Sequence, residues 1–177
     1  MLLTKIINRD IRLSKSIENN PKITGIDCDS RKIKKGMMFA AISGEKSNGI
    51  DFCDKALKAG ANSILCNKKD FKKVLKKPAN ILITNNVRLS VSFIIKKIFP
   101  KQPKNIAAIT GTNGKTSVAY YLKNLWESAN LKSASIGTLG VLYKNKKIPL
   151  NLTTPDPITL HKSIDALKSK GVNYIAL

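Results

Sequence analysis

A chain of 177 residues with 42% hydrophobic content is long enough for one sizeable domain or two small ones, and it lies outside the disordered and fibrous classes. Charges enter "MLLTKIINRDIRLSKS" too early for the apolar centre of a secretory leader, and no later run is long enough to cross a bilayer, so a cytoplasmic protein is expected. The net charge of +21 is nearly all lysine, the only arginines being Arg9, Arg12, Arg31 and Arg88, and the basic runs show no regular interleaving with aromatics. Base readers use the arginine fork and single-strand binders use aromatic platforms, so the lysines are expected to form solvated faces and no nucleic-acid partner is expected. On charge alone, the alternative is a basic, nucleotide-dependent nucleic-acid-binding protein.

The first readable elements lie in residues 23 to 45, where two apolar stretches flank the polar turn "DSRKIKKG" and predict strand, turn and strand. "DFCDKALKAG" predicts a helix, with Phe52, Ala56 and Ala59 at helical spacing and Gly60 suited to a left-handed cap. "NSILCN" and "NILITN" read as short buried strands, and "VRLSVSFIIKKIF" as an amphipathic helix. The prolines and lysines of "PKQPKN" then break all periodicity, which predicts a linker. After it come a strand (105 to 110), a Gly-rich turn, a helix (115 to 129), a strand (134 to 138), a hairpin through "LYKNKKI", a helix (157 to 170) and a last strand "VNYIAL". This is α/β alternation and predicts a mostly parallel sheet. The domains expected are residues 1–99, a linker at 100–104, and residues 105–177. Cys28, Cys53 and Cys66 are far apart with no C-x-x-C pair, which suggests neither a zinc knuckle nor a disulfide framework.

"ITGTNGKTS" is the stretch that carries chemistry. It follows a strand and opens a helix, the context a phosphate loop requires. Gly111 and Gly114 let backbone N–H groups approach an anion, and the helix adds its positive N-terminal dipole. Lys115 is placed to reach terminal phosphates, and the Thr116 hydroxyl to ligate a Mg²⁺ that bridges them. The standard P-loop has a glycine six residues before the lysine, where this chain has Ile109.

The compact form G-T-N-G-K-T resembles the ATP loop of the Mur ligase family, the enzymes that build the peptide stem of the cell-wall precursor, and of relatives that polyglutamylate folates or make cyanophycin. "GIDCDSRKIKKGMMFAAISGEKSNGIDF" is similar to the family's N-terminal uridine-nucleotide domain, and "NLTTPDPITLHKSIDALKSKGVNYIAL" to the segment that meets the muramoyl peptide. The resemblance runs from about Ile23 to the terminus. It implies two α/β parts: a small uridine-nucleotide domain, and the first half of a P-loop ATPase domain with a mostly parallel sheet.

The branch most similar is the one that adds the third amino acid, diaminopimelate or lysine, to UDP-N-acetylmuramoyl-L-alanyl-D-glutamate. There ATP phosphorylates the D-glutamyl carboxylate and the amine attacks the acyl phosphate. The cofactors implied are ATP and Mg²⁺. The ATP-site residues implied are Gly111, Thr112, Asn113, Gly114, Lys115, Thr116 and Ser117, with Lys115 catalytic and Thr116 the metal ligand.

Ser30 lies in a polar turn where it can contact a uridine diphosphate or bond its own backbone, and the resemblance favours the ligand role. Lys46 and Ser47 flank the same ligand by resemblance. Thr153 and Thr154 precede a proline and are expected to be extended, meeting an anionic substrate or helping Asp156 cap the next helix. His161, alone of its kind, reads as a structural residue of that helix. Two departures from the family pattern are Asn48 and Ile50, where an acid and a histidine are common, and Leu152 before the threonines, with Asn151 one place earlier. The resemblance also implies an N-terminal fragment without ligase activity of its own.

Overall fold

Strands β3 (Met38–Ala40) and β4 (Ser63–Asn67) are apolar and almost wholly buried, as expected of central strands of a parallel sheet covered on both faces. The computed structural model describes residues 1–14, 20–44, 48–150 and 155–177. They form two units, Met1–Ile98 and Phe99–Leu177.

In the first unit, β1 (Arg12–Leu13), β2 (Ile26–Asp27) and β5 (Asn80–Thr84) complete a sheet of order β1-β5-β4-β3-β2. Every pairing is parallel except β1 with β5. Its helices are α1 (Cys53–Lys58), the short α2 (Phe71–Val74) and α3 (Val87–Ile98). The core gathers Phe39, Ile64, Cys66 and Ile81 from the sheet with Cys53 and Ala56 from α1. The α1 face differs from its sequence pattern. Helix α1 begins only at Cys53, after a 3-10 turn over Gly49–Phe52, so Phe52 falls outside the buried stripe and is 38% exposed. Asn48 and Ile50 have local structural roles in that turn: the Asn48 Oδ1 accepts from the Ile50 N–H at 3.2 Å, and Ile50 enters the core.

None of the three cysteines is in a disulfide. Burial pushes the Cys53 thiol up to about 11 and the Cys66 thiol up to about 12. Because the thiolate is the reactive form, neither should react with a thiol reagent in the native protein at pH 8, whereas Cys28 is partly exposed. The labelling count should therefore rise by two on denaturation. Labelling of Cys53 or Cys66 at the rate of a free thiol in the native state contradicts the packing described.

The second unit has the order β6-β10-β7-β8-β9, with β6 (Asn105–Ala107), β7 (Ser133–Gly137), β8 (Gly140–Tyr143), β9 (Lys146–Ile148) and β10 (Tyr174–Ala176). β6, β10 and β7 run parallel, and β8 and β9 follow as antiparallel hairpins. The period-2 alternation of β7 explains the layering. Ala134 and Ile136 face α5 (Pro157–Ser169) and join Ile164 and Leu167 in the core. Ser133 and Ser135 face the other way, toward α4 (Lys115–Ser128), where small side chains permit close approach. The Ser133 hydroxyl is satisfied there by the Lys123 carbonyl at 2.9 Å. Asp156 caps α5 through the N–H groups of Ile158 and Thr159, at 2.9 and 3.1 Å, and Pro157 fills the first helical position. No helix of the described residues is long and apolar enough to cross a membrane.

Candidate functional site

The β6 ladder continues past its last strand residue, the Ile109 N–H donating to the Leu177 carbonyl at 2.8 Å. The chain then turns through "TGTNG" into α4. Gly114, at φ +78°, is the residue before the helix, a left-handed conformation that a Cβ would strain. It has no side chain to cap α4, and no acidic residue lies in the first turn. By contrast with the Asp156-capped α5, the leading N–H groups of α4 have no side-chain partner among the described residues, which leaves their partial positive charge open to an anion.

The Lys115 ammonium folds back over this loop, donating to the carbonyl of Gly111 and, at 3.2 Å, to that of Thr112. Beside it the Thr116 hydroxyl donates to the Thr138 hydroxyl at 3.1 Å. A cleft opens outside the carboxyl ends of all three parallel strands: Ile109 follows β6, Leu177 follows β10, and Thr138 and Leu139 follow β7. This is where ligands of open α/β sheets sit. Lys115, Thr116, Ala119 and Tyr120 form its α4 wall, and Pro155 and Leu160 contribute apolar surface. Gly111, Thr112, Asn113, Gly114 and Ser117 are exposed around the loop, with Lys115 and Thr116 half-buried. The contribution of Ser135, Thr138 and Tyr120 was not legible in the sequence. Each is brought to the loop by the fold rather than by chain proximity.

Such a constellation suits an anion of nucleotide-phosphate type: helix N–H groups, an ammonium and a neutral hydroxyl converge on one cleft. Among the described residues, no Asp or Glu side chain lines it. The donor set also fits Mg²⁺, which prefers oxygen, keeps several waters and is bound through few protein groups plus substrate phosphates. Thr116 would supply one such oxygen. Among the described residues no group of three or more His, Cys, Asp or Glu forms an all-protein cage.

In the first unit Ser30 opens a 3-10 turn and is only 8% exposed. Asp29, before it, accepts from the Arg31 N–H at 3.0 Å and pairs with the Arg31 guanidinium at 2.8 Å. The Arg31 hydrogen bonds hold the Asp29 carboxyl down at about 2. The turn is thus stabilised by Asp29 and leaves Arg31 outward and Ser30 inward. Lys46, Ser47, Thr153 and Thr154 lie outside the described residues.

Comparison with known proteins adds lineage to this geometry. A family model described as Mur ligase middle domain matches residues 109–177, and one described as Mur ligase family, catalytic domain, matches residues 22–113. Among curated proteins, the chain is similar to the UDP-N-acetylmuramoyl-L-alanyl-D-glutamate--2,6-diaminopimelate ligase of Mesorhizobium japonicum, with 37% identity over 156 residues, covering 88% of this chain and 32% of that protein. The enzyme of the same name from Bradyrhizobium diazoefficiens is 37% identical over 177 residues, covering 99% of this chain and 35% of that protein. The chain spans about a third of the length of these curated relatives. A solved structure of a ligase of that name superposes with a TM-score of 0.69 at 24% identity, over 91% of this chain and 34% of its own. The MurF ligase of Thermotoga maritima in complex with ADP superposes with a TM-score of 0.60 at 20% identity, over 86% of this chain and 31% of its own. These two likenesses speak to the fold.

Proposed function

Because the chain belongs to the Mur ligase family, we propose that it serves the ATP-dependent ligation that extends UDP-N-acetylmuramoyl-L-alanyl-D-glutamate by 2,6-diaminopimelate, the reaction named for its curated relatives. In that reaction the terminal phosphoryl group of ATP passes to the D-glutamyl carboxylate, releasing ADP. The amine of the incoming amino acid then displaces phosphate and the amide bond forms. We assign residues 1–99 to the uridine-nucleotide part of the substrate and residues 105–177 to ATP, and place the reaction in the cytoplasm, where such nucleotide substrates are made.

The observation that carries the reading is the uncapped N-terminus of α4 behind Gly114, with Lys115 and Thr116 at the mouth of the cleft. Here Gly111, Thr112, Asn113, Gly114 and Ser117 wrap the phosphates with backbone N–H groups. Lys115 exchanges the carbonyls of Gly111 and Thr112 for phosphate oxygens and stabilises charge on the transferring group. Thr116 holds Mg²⁺, which supplies charge neutralisation at the phosphates. Tyr120, Leu139 and Leu160 narrow the cleft and exclude water from one side. Ser30, Lys46 and Ser47 meet the uridine diphosphate, and Thr153 and Thr154 the muramoyl peptide.

Backbone amide shifts of the labelled chain test both assignments. ATP with Mg²⁺ should perturb the amides of 111–117 and 138, while UDP-muramoyl dipeptide should perturb those around Ser30. ATP shifts that spare the loop, or none at millimolar ATP, overturn the nucleotide reading.

A further inference from the structure

A hydroxyl has one proton and two lone pairs. For Thr116 to give a lone pair to a cation, its proton needs an acceptor placed so that the lone pair turns into the cleft. The Thr138 Oγ1, 3.1 Å away, is that acceptor. Thr138 belongs to a different element, the two-residue turn that joins β7 to β8 between the paired Gly137 and Gly140. It lies 22 residues further along the chain and lines the same cleft as Thr116 and Lys115.

We propose that Thr138 is a positioning residue for the divalent cation. By accepting the Thr116 proton it fixes the rotamer in which the Thr116 oxygen faces the bound phosphates. The inference rests on the nucleotide reading of this site. A partner that orients a ligating side chain changes metal affinity by about ten- to a hundredfold when removed, with no contact to the metal itself.

The test is a Mg²⁺ titration of ATP binding by calorimetry on the 177-residue chain and on Thr138→Val, Thr138→Ser and Thr116→Val. Valine keeps the shape of threonine and removes the acceptor. Thr138→Val should leave affinity for metal-free ATP within about twofold and raise the half-saturating Mg²⁺ concentration roughly tenfold. Thr138→Ser, which retains an acceptor oxygen, should restore the wild-type value, a rescue that a merely structural role in the turn does not predict. An unchanged Mg²⁺ dependence in Thr138→Val overturns the proposal, as does equal loss of binding with and without Mg²⁺. If Thr116→Val loses Mg²⁺ dependence while both Thr138 variants keep it, the nucleotide reading stands and this inference falls. A wild type whose ATP binding ignores Mg²⁺ removes this inference and leaves the nucleotide reading standing, whereas a wild type that binds no ATP removes both. Should Thr138→Val melt early, comparison of Thr138→Ser with wild type decides, and a tenfold weaker Mg²⁺ response in the serine variant counts against the proposal.

Discussion

Gly140→Ala should destabilise the second unit by roughly 3 kcal/mol, while Gly137→Ala at the other end of the same turn should be neutral or slightly stabilising. Gly140 closes the turn between β7 and β8 at φ +92°, a region alanine enters only with strain. A Cβ there would also stand 2.2 Å from the Ile148 carbonyl oxygen and 3.1 Å from the Pro149 Cα, both backbone atoms that no side-chain rotation can move aside. At Gly137 a Cβ would meet open space, and the loss of glycine's freedom in the unfolded chain then favours folding. Trp126, the only tryptophan, lies on α4 with its ring 5.4 Å from that of Tyr174 on β10. Its emission therefore reports the unfolding of this unit in urea. Equal midpoints for the two variants contradict the packing of β9 over Gly140.

The order of elements was legible because the two periodicities differ and the breakers are emphatic. The buried runs of β4 and β5, the 12 residues of α3 and the loop between β6 and α4 each have a local signature. Elements too short to display a period were not legible. The two residues of β1 owe their strand character to pairing with Ile83 and Leu82 of β5, and α2 has only 4 residues. For the same reason the spacing of Phe52 with Ala56 misled: a 3-10 turn over Gly49–Phe52 delayed the helix start to Cys53 and left Phe52 on the surface. Lys115 and Thr116 stand inside the recognisable loop. Ser135 looks like an ordinary polar residue within a strand, and Thr138 like one at a strand end. Only the close packing of β7 under α4 brings Thr138 to Thr116, and tertiary proximity of that kind leaves no trace in local spacing.

Lys115→Ala should weaken ATP binding by roughly ten- to a hundredfold, corresponding to about 1.5–3 kcal/mol for a hydrogen bond to a charged group, and should weaken ADP binding less. The asymmetry follows from reach. The helix N–H groups and the loop backbone serve phosphates near the Gly-rich turn, whereas a four-carbon stem extends the ammonium toward the terminal one. In the free chain that ammonium is held by the carbonyls of Gly111 and Thr112. Binding therefore exchanges two carbonyl partners for anionic oxygens, and the measured difference is the net of that exchange. Removing the side chain leaves those carbonyls to water, since both residues are exposed, so Trp126 emission and the urea midpoint should not change. Lys115→Arg should not restore ATP affinity fully, because a planar fork cannot occupy the compact position of an ammonium beside the loop. Calorimetric titration of the three proteins with ATP and ADP, each with Mg²⁺, measures the ratios. Equal losses for the two nucleotides would place the lysine away from the terminal phosphate, and no loss for either would mean that the loop is only a turn between β6 and α4.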